Sequence, residues 1–123
     1  MRIARLAEEK EAENARIAAE KAAAMKRLAP RIAAAEASLI KNAMRNPDSF
    51  KLNEVLLMKN GSSCFEYRAQ NGFGGMNVGQ AVYSNPTGKL KTNEMGGFPS
   101  LWNKECANQS GEIITDDVLI YMR

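Results

Sequence analysis

The side chains with the greatest chemical reach in this chain are two cysteines, Cys64 and Cys106, and fourteen carboxylates; there is no histidine anywhere. Without imidazole, Ser-His-Asp and Cys-His nucleophile systems cannot be assembled, and most metal sites lose their commonest ligand. The cysteines are too far apart in sequence for a zinc pair. Two readings of them stay open: a structural disulfide between Cys64 and Cys106, or two separate, reduced, buried thiols. A bridge would close a loop of about 40 residues and contribute roughly 3 to 4 kcal/mol on the chain-entropy model.

The remaining chemical motifs fail on inspection. Gly74 to Gly79 continues with Gln80-Ala81 where a phosphate-binding loop requires Lys-Ser/Thr. Gly72-x-Gly74 does not complete the dinucleotide fingerprint, and no helix is predicted after it. Ser38-x-x-Lys41 matches a penicillin-binding motif at two residues, without its companion motifs. The only adjacent carboxylates, Glu8-Glu9 and Asp116-Asp117, lie on a solvated helix and at an expected strand start, so a general acid and base pair would need distant residues. No metal or cofactor is expected, and the chain reads as non-enzymatic.

These residues are distributed unevenly over the elements that must position them. Residues 1–45 carry ten Lys/Arg against six Asp/Glu and no aromatic residue; residues 46–123 carry seven against eight and hold every Phe, Trp and Tyr. The positive charge therefore resides in the first segment. There it is interleaved with acid as RLAEEKEAENAR, the pattern of a solvated helix with ion pairs rather than of a nucleic-acid stripe. Arg68, Lys89 and Lys91 are too few for a basic sheet surface. No apolar run approaches the length of a membrane span, so any membrane attachment would come through an anchor upstream of the chain.

From Arg2 to Leu28 the absence of Gly and Pro and the surplus of Ala, Glu, Lys and Arg predict one long helix. Leu6, Ile17, Leu28 and Leu39 recur every eleven residues, a thin apolar stripe that suits a stalk or a partner helix. A homo-oligomer through this helix is one expected consequence. Pro30 predicts a kink or break. The helix after it, Arg31 to about Met44, presents Ile32, Leu39, Ile40 and Ala43 as the face to cover a sheet. The division expected is a helical stalk over 1–29 and a small α+β domain over 30–123.

In the second segment the alternation predicts strands over Phe50 to Met58 and Ser63 to Gln70, joined by the hairpin signal Asn60-Gly61. The glycine-dense turn Asn71-Gly72-Phe73-Gly74-Gly75 leads to a third strand over Met76 to Tyr83, with Val78 and Val82 as its apolar contacts. Residues 84–97 read as a mobile loop, Pro99 to Asn108 as a short helix bearing Leu101, Trp102 and Cys106, and Glu112 to Met122 as a fourth strand. The fold class is α+β, a long helix on an antiparallel sheet of about four strands. The aromatics, Tyr67, Phe73, Tyr83, Phe98 and Trp102, are assigned mainly to the core. The candidate binding surface is Asn71, Gly72, Phe73, Gly74, Gly75 and Trp102, with the 84–97 loop beside it.

One stretch carries a resemblance. Asn46-Pro47-Asp48-Ser49, Val55, and Cys64-x-Glu66-x-x-Ala69-x-Asn71-x-Phe73-Gly74-Gly75 resemble a family of small bacterial and phage proteins. That family is recognised by a helix ending in a (D/N)P(D/E)S turn, a strand, and a C-G-E-V-N-A-K-N-x-(F/Y)-G-G-Y signature. Here Phe65 stands for the glycine after the cysteine, Arg68 for the asparagine and Met76 for the final tyrosine. Members of the family resemble lipoproteins or membrane-anchored periplasmic proteins, which implies an envelope location if Cys64 and Cys106 are bridged and a cytoplasmic one otherwise. The expected function is contact with another protein, displayed on a helical stalk in the bacterial envelope. The alternative is a small phage-encoded cytosolic inhibitor that binds and blocks a host enzyme or defence complex.

Overall fold

A computed structural model of the chain describes residues 2–123, with side chains from Ala4 onward. It opens with one uninterrupted helix, α1, over Arg2–Asn42. A short 3-10 turn over Pro47–Ser49 follows, then strands β1 (Lys51–Leu57), β2 (Ser63–Gln70), β3 (Met76–Ser84) and β4 (Lys89–Thr92), helix α2 (Phe98–Glu105), strand β5 (Glu112–Ile113) and helix α3 (Thr115–Tyr121). The five strands form one antiparallel sheet in the order β4-β3-β2-β1-β5.

The α+β class and the long helix are as the sequence predicts, but three elements differ. Helix α1 passes through Pro30 without a break. A proline in a helix removes a single intrahelical donor, and here the flanking residues are strong helix formers; Pro30 is buried at the point where the helix meets the domain. Within the segment read as a mobile loop, Lys89–Thr92 pairs with β3 as an edge strand, its register running from Ala81 opposite Thr92 to Ser84 opposite Lys89. The expected last strand is mostly helix. Only Glu112 and Ile113 pair with β1, after which Asp116 and Asp117 occupy the first turn of α3, where carboxylates favour the positive end of the helix dipole. Ile114 and Val118 are buried and Met122 half-buried, a spacing of four that belongs to a helix and not to alternating strand faces.

The main core lies between one sheet face and the helices α1 and α3. Ala33, Ala34, Ala37 and Ile40 of α1 meet Phe50, Val55, Phe65, Tyr67 and Ala81, with Ile114 and Val118 closing the side. Ile32 and Leu39, predicted to face the sheet, are 51% and 63% exposed, and Ala43 is also exposed. Small alanines permit close approach of a helix to a twisted sheet, so the domain rests on the alanine face and turns the larger side chains outward. The first buried side chains of α1 are Ala29 and Pro30; from Ala4 to Leu28 all are exposed except the half-buried Ala24. On β3, Val82 is buried as expected, while Val78 and Met76 are exposed.

A second, smaller core covers part of the other sheet face. Met58, Cys64 and Val82 pack there under Phe98 and Cys106 of the α2 segment, with Trp102 half-buried and stacked at a tilt on Phe98 at 5.5 Å. The Cys64–Cys106 disulfide ties β2 to the end of α2 across a separation of 42 residues. Beside it, the buried carboxylate of Glu105 accepts hydrogen bonds from Ser62 Oγ (2.6 Å), Ser84 Oγ (3.1 Å) and Asn60 Nδ2 (3.1 Å). Those donors come from the β1–β2 turn and the end of β3, so one carboxylate and one disulfide together fix α2 to the sheet.

Candidate functional site

The turn between β2 and β3 is built by Asn71. Its backbone N–H donates to the Gly75 carbonyl at 2.7 Å, and its side-chain Oδ1 accepts the backbone N–H of Phe73 (2.8 Å) and of Gly75 (3.0 Å). Asparagine is suited to this because its short side chain mimics a backbone acceptor inside a turn. Gly74 has φ of +86°, a conformation that a side chain would strain. Asn71 Nδ2 also donates to Asn77 Oδ1, and Gln70 Nε2 to the Gly74 carbonyl, each at 3.2 Å. The turn is thus held from inside, and it leaves Phe73 99% exposed. This corrects the assignment of Phe73 to the core.

Below the turn lies a cleft of about 480 Å³. It is lined by Met44 and Arg45 of the turn after α1, by Tyr67, Ala69 and Gly79 of the sheet, and by Asn93 and Glu94 after β4. Gly79 is required there, because a Cβ at that position would fall 2.5 Å from the ring of Tyr67, its cross-strand partner. The Tyr67 ring stacks at a tilt on Phe50 at 5.2 Å. Its phenol pKa is raised by burial and, secondarily, by the Glu94 carboxylate, so it is a neutral hydroxyl at physiological pH. Asn93 Oδ1 accepts the backbone N–H of Gln80 at 3.0 Å, which fixes its place in the lining. The lining is amide-rich, with one guanidinium and one carboxylate.

The two ends of the resembling stretch meet in space. Ser49 Oγ donates to the Asn46 carbonyl (2.7 Å) and accepts the Gln70 backbone N–H (2.8 Å), while Asn46 Nδ2 donates to Gln70 Oε1 at 2.6 Å. The Asn-Pro-Asp-Ser turn therefore braces the base of the Asn71 turn. Arg45 also reaches this place, its Nη1 lying 2.8 Å from the Cβ position of Gly72. Arg45, Tyr67, Asn93 and Glu94 are members of the site that sequence reading missed. The closeness of Arg45 to the Asn-Pro-Asp-Ser turn was its only available signal.

Trp102 does not join the turn. It lies on the opposite sheet face, beside a smaller cleft of about 180 Å³ lined by Leu56, Cys64, Glu66 and Gln80. Among the described residues, no group of three His, Cys, Asp or Glu side chains could hold a metal ion, and no helix is long and apolar enough to cross a membrane.

The position of the turn relative to the stalk follows from contacts at both ends of the sheet. A Cβ at Gly61, in the β1–β2 turn, would lie 3.5 Å from Met25 Sδ, and Lys26 Nζ pairs with Glu112 Oε1 at 3.7 Å, so the free part of α1 leaves the domain at that pole. The Asn71 turn, at the other end of β2, crowns the opposite pole. The fold and site define a disulfide-stapled α+β domain carried on an exposed helix, with a rigid Phe73 turn at its far end. Comparison with protein-family models, with curated proteins and with solved structures returned no match.

Proposed function

We propose that this is a protein-interaction domain of the bacterial envelope, displayed on its helical stalk, whose contact surface is the Asn71–Gly75 turn and the cleft beneath it. The observation that carries the reading is Phe73, a fully exposed aromatic held on an internally hydrogen-bonded turn at the pole away from the stalk. Because the backbone that carries the ring is already held, contact would order only the two side-chain torsions of Phe73, a small loss for an interface anchor. The amide-lined cleft beside it offers donors and acceptors to an extended segment of the partner. The Cys64–Cys106 bridge supports an oxidising compartment, where such a bond persists. The resemblance of the Asn46–Gly75 stretch to envelope proteins supports the same location.

The test places a photo-crosslinking benzoylphenylalanine at position 73 in the producing cell, with the same probe at Lys104, exposed on α2, as the control. A discrete protein adduct at 73 that is absent at 104 is the expected result. Adducts indistinguishable between the two positions would overturn the assignment of the surface. Acid-quenched thiol trapping of Cys64 and Cys106 in the same cells reads the compartment. Two free thiols would exclude the envelope and turn the search to an intracellular target.

A further inference from the structure

Helix α1 bears a second apolar line that the fold leaves uncovered. Leu6, Ile17, Leu28 and Leu39 are 59%, 38%, 43% and 63% exposed. Eleven residues at 100° each make three turns plus about 20°, so the four form a slowly drifting line along roughly 50 Å of helix. Ala33 and Ala37, completely buried under the domain, sit about 100° and 140° around the helix from Ile32, whereas Leu39 sits about 20° to its other side. The line therefore faces away from the sheet over its whole length. Arg31, about 60° around the helix from Leu28, lies over the Tyr121 ring of α3 at 5.2 Å, so the domain flanks the line at its C-terminal end and leaves it open from Leu6 to Ile17.

We propose that the occupant is α1 of a second copy of this chain, parallel and in register. The charges beside the line choose both the partner and its direction. Glu9 and Glu20 lie about 60° to one side of the Leu6–Ile17 line, and Lys10 and Lys21 about 40° to the other side. Over the first two repeats, Leu6 and Ile17, one edge of the seam is acidic and the other basic; at Leu28 the corresponding positions are Arg31 and Ile32, so the charge pattern belongs to the N-terminal half of the line. In a parallel twofold pair opposite edges meet, so Lys10 of one copy lies against Glu9 and Glu13 of the other, and Lys21 against Glu20. In an antiparallel pair centred on Ile17 like edges meet, which sets Glu13 beside Glu20 across the seam.

Within a single chain the acidic edge is already ordered, since Arg16 bridges Glu13 (3.6 Å) and Glu20 (2.8 Å), while Lys10 and Lys21 pair with no carboxylate among the described residues. The period of eleven gives a right-handed supercoil. The two domains then stand on the outer sides of the pair, with both Phe73 turns at the same end.

The test is sedimentation equilibrium on the full chain, joined to cysteine crosslinking in a glutathione redox buffer. The expected mass is twice the 13.5 kDa of one chain. Leu6→Cys alone should form an intermolecular bridge, and so should Leu28→Cys alone. Ile17→Glu should return the mass to that of one chain while leaving the thermal unfolding of the domain, followed by Trp102 fluorescence, unchanged. A single-chain mass up to the highest soluble concentration would overturn the proposal. So would a dimer that crosslinks only in a mixture of the Leu6→Cys and Leu28→Cys variants, which reports antiparallel pairing, or a dimer indifferent to Ile17→Glu.

Discussion

Glu36 gives the domain a pH dependence that can be worked out in advance. Its side chain is only 7% exposed, and neither carboxylate oxygen has a hydrogen-bond partner among the described residues. Burial pushes its pKa from the ordinary 4.5 up to about 7. A carboxyl whose pKa is higher in the folded than in the unfolded chain stabilises the fold fully below the unfolded value, and that contribution is lost as the pH rises through the folded value. At about 1.4 kcal/mol per pH unit, the interval from 4.5 to about 7 amounts to about 3 kcal/mol lost between pH 4.5 and pH 8. That window is unusually clean. The chain has no histidine and both cysteines are bridged, so above about pH 6, beyond the range of ordinary carboxyls, the only other group that ordinarily titrates is the α-amino terminus. Glu36→Gln keeps the shape of the protonated side chain and removes the titration. Urea unfolding at a series of pH values should give equal stability for the two proteins near pH 4 and a variant more stable by about 3 kcal/mol at pH 8. Parallel stability curves for the two proteins across that range would refute the reasoning.

Two further predictions concern the staples of the second core. Replacing both Cys64 and Cys106 with alanine frees a loop whose ends are 42 residues apart; the chain-entropy relation gives a loss of about 4 kcal/mol, and a shift of the urea midpoint worth less than about 1 kcal/mol would show that the bridge constrains nothing. Glu105 accepts from three side chains, and its pKa is lowered chiefly by the Ser62 hydroxyl against an opposing effect of burial. Its contribution is therefore present above the ordinary carboxyl value and lost as the pH falls through the folded one. Glu105→Ala should cost about 2 to 4 kcal/mol near neutrality by leaving buried hydroxyls without an acceptor, and should flatten the acid limb of the stability curve measured by circular dichroism.

The hairpins and the short helix were legible because their signals are local. Asn60-Gly61 marks the β1–β2 connection, where Gly61 alone takes positive φ in a five-residue loop over 58–62, and a proline in the first turn opens α2. The α+β class followed from the same kind of reading, by the position of the aromatics, whereas the sequence left the cysteines open between a bridge and two thiols and the fold brings them together. What failed depended on distant partners or on a period that too few residues expressed. Strand β4 is four residues long with two lysines, and only its pairing with β3 identifies it. In 112–122 the two apolar positions that commit to the core, Ile114 and Val118, are four apart, yet Ile113, Leu119 and Ile120 beside them extend each into a short apolar run that hides the helical period. At the candidate site, the turn residues announced themselves by composition. Arg45, Tyr67, Asn93 and Glu94 come from three separate elements that only the fold brings together.

The error over Ile32 and Leu39 has a physical meaning beyond the error itself. A helix that must cover a sheet ordinarily places its largest apolar side chains against it, since burial of each contributes about 1.5 to 3 kcal/mol. Here α1 places alanines inward, at Ala33, Ala34 and Ala37, and directs Ile32 and Leu39 to solvent. Alanine on the domain side costs little, because Phe65 and Tyr67 of the sheet supply the volume. Leucine and isoleucine on the outer side bring nothing to a single chain. Their register with Leu6, Ile17 and Leu28, on the face of the helix turned away from the sheet, places all five in one line. A stalk that served only as a spacer would require helix-forming residues and solvated charge, which the alanines and ion pairs already supply. A line of large apolar residues at constant period, with acid along one edge and base along the other over its first two repeats, is accounted for when a second copy of the helix covers it. Paired in parallel, the stalks would present two Phe73 turns together, and a partner with a repeated surface would meet both at once.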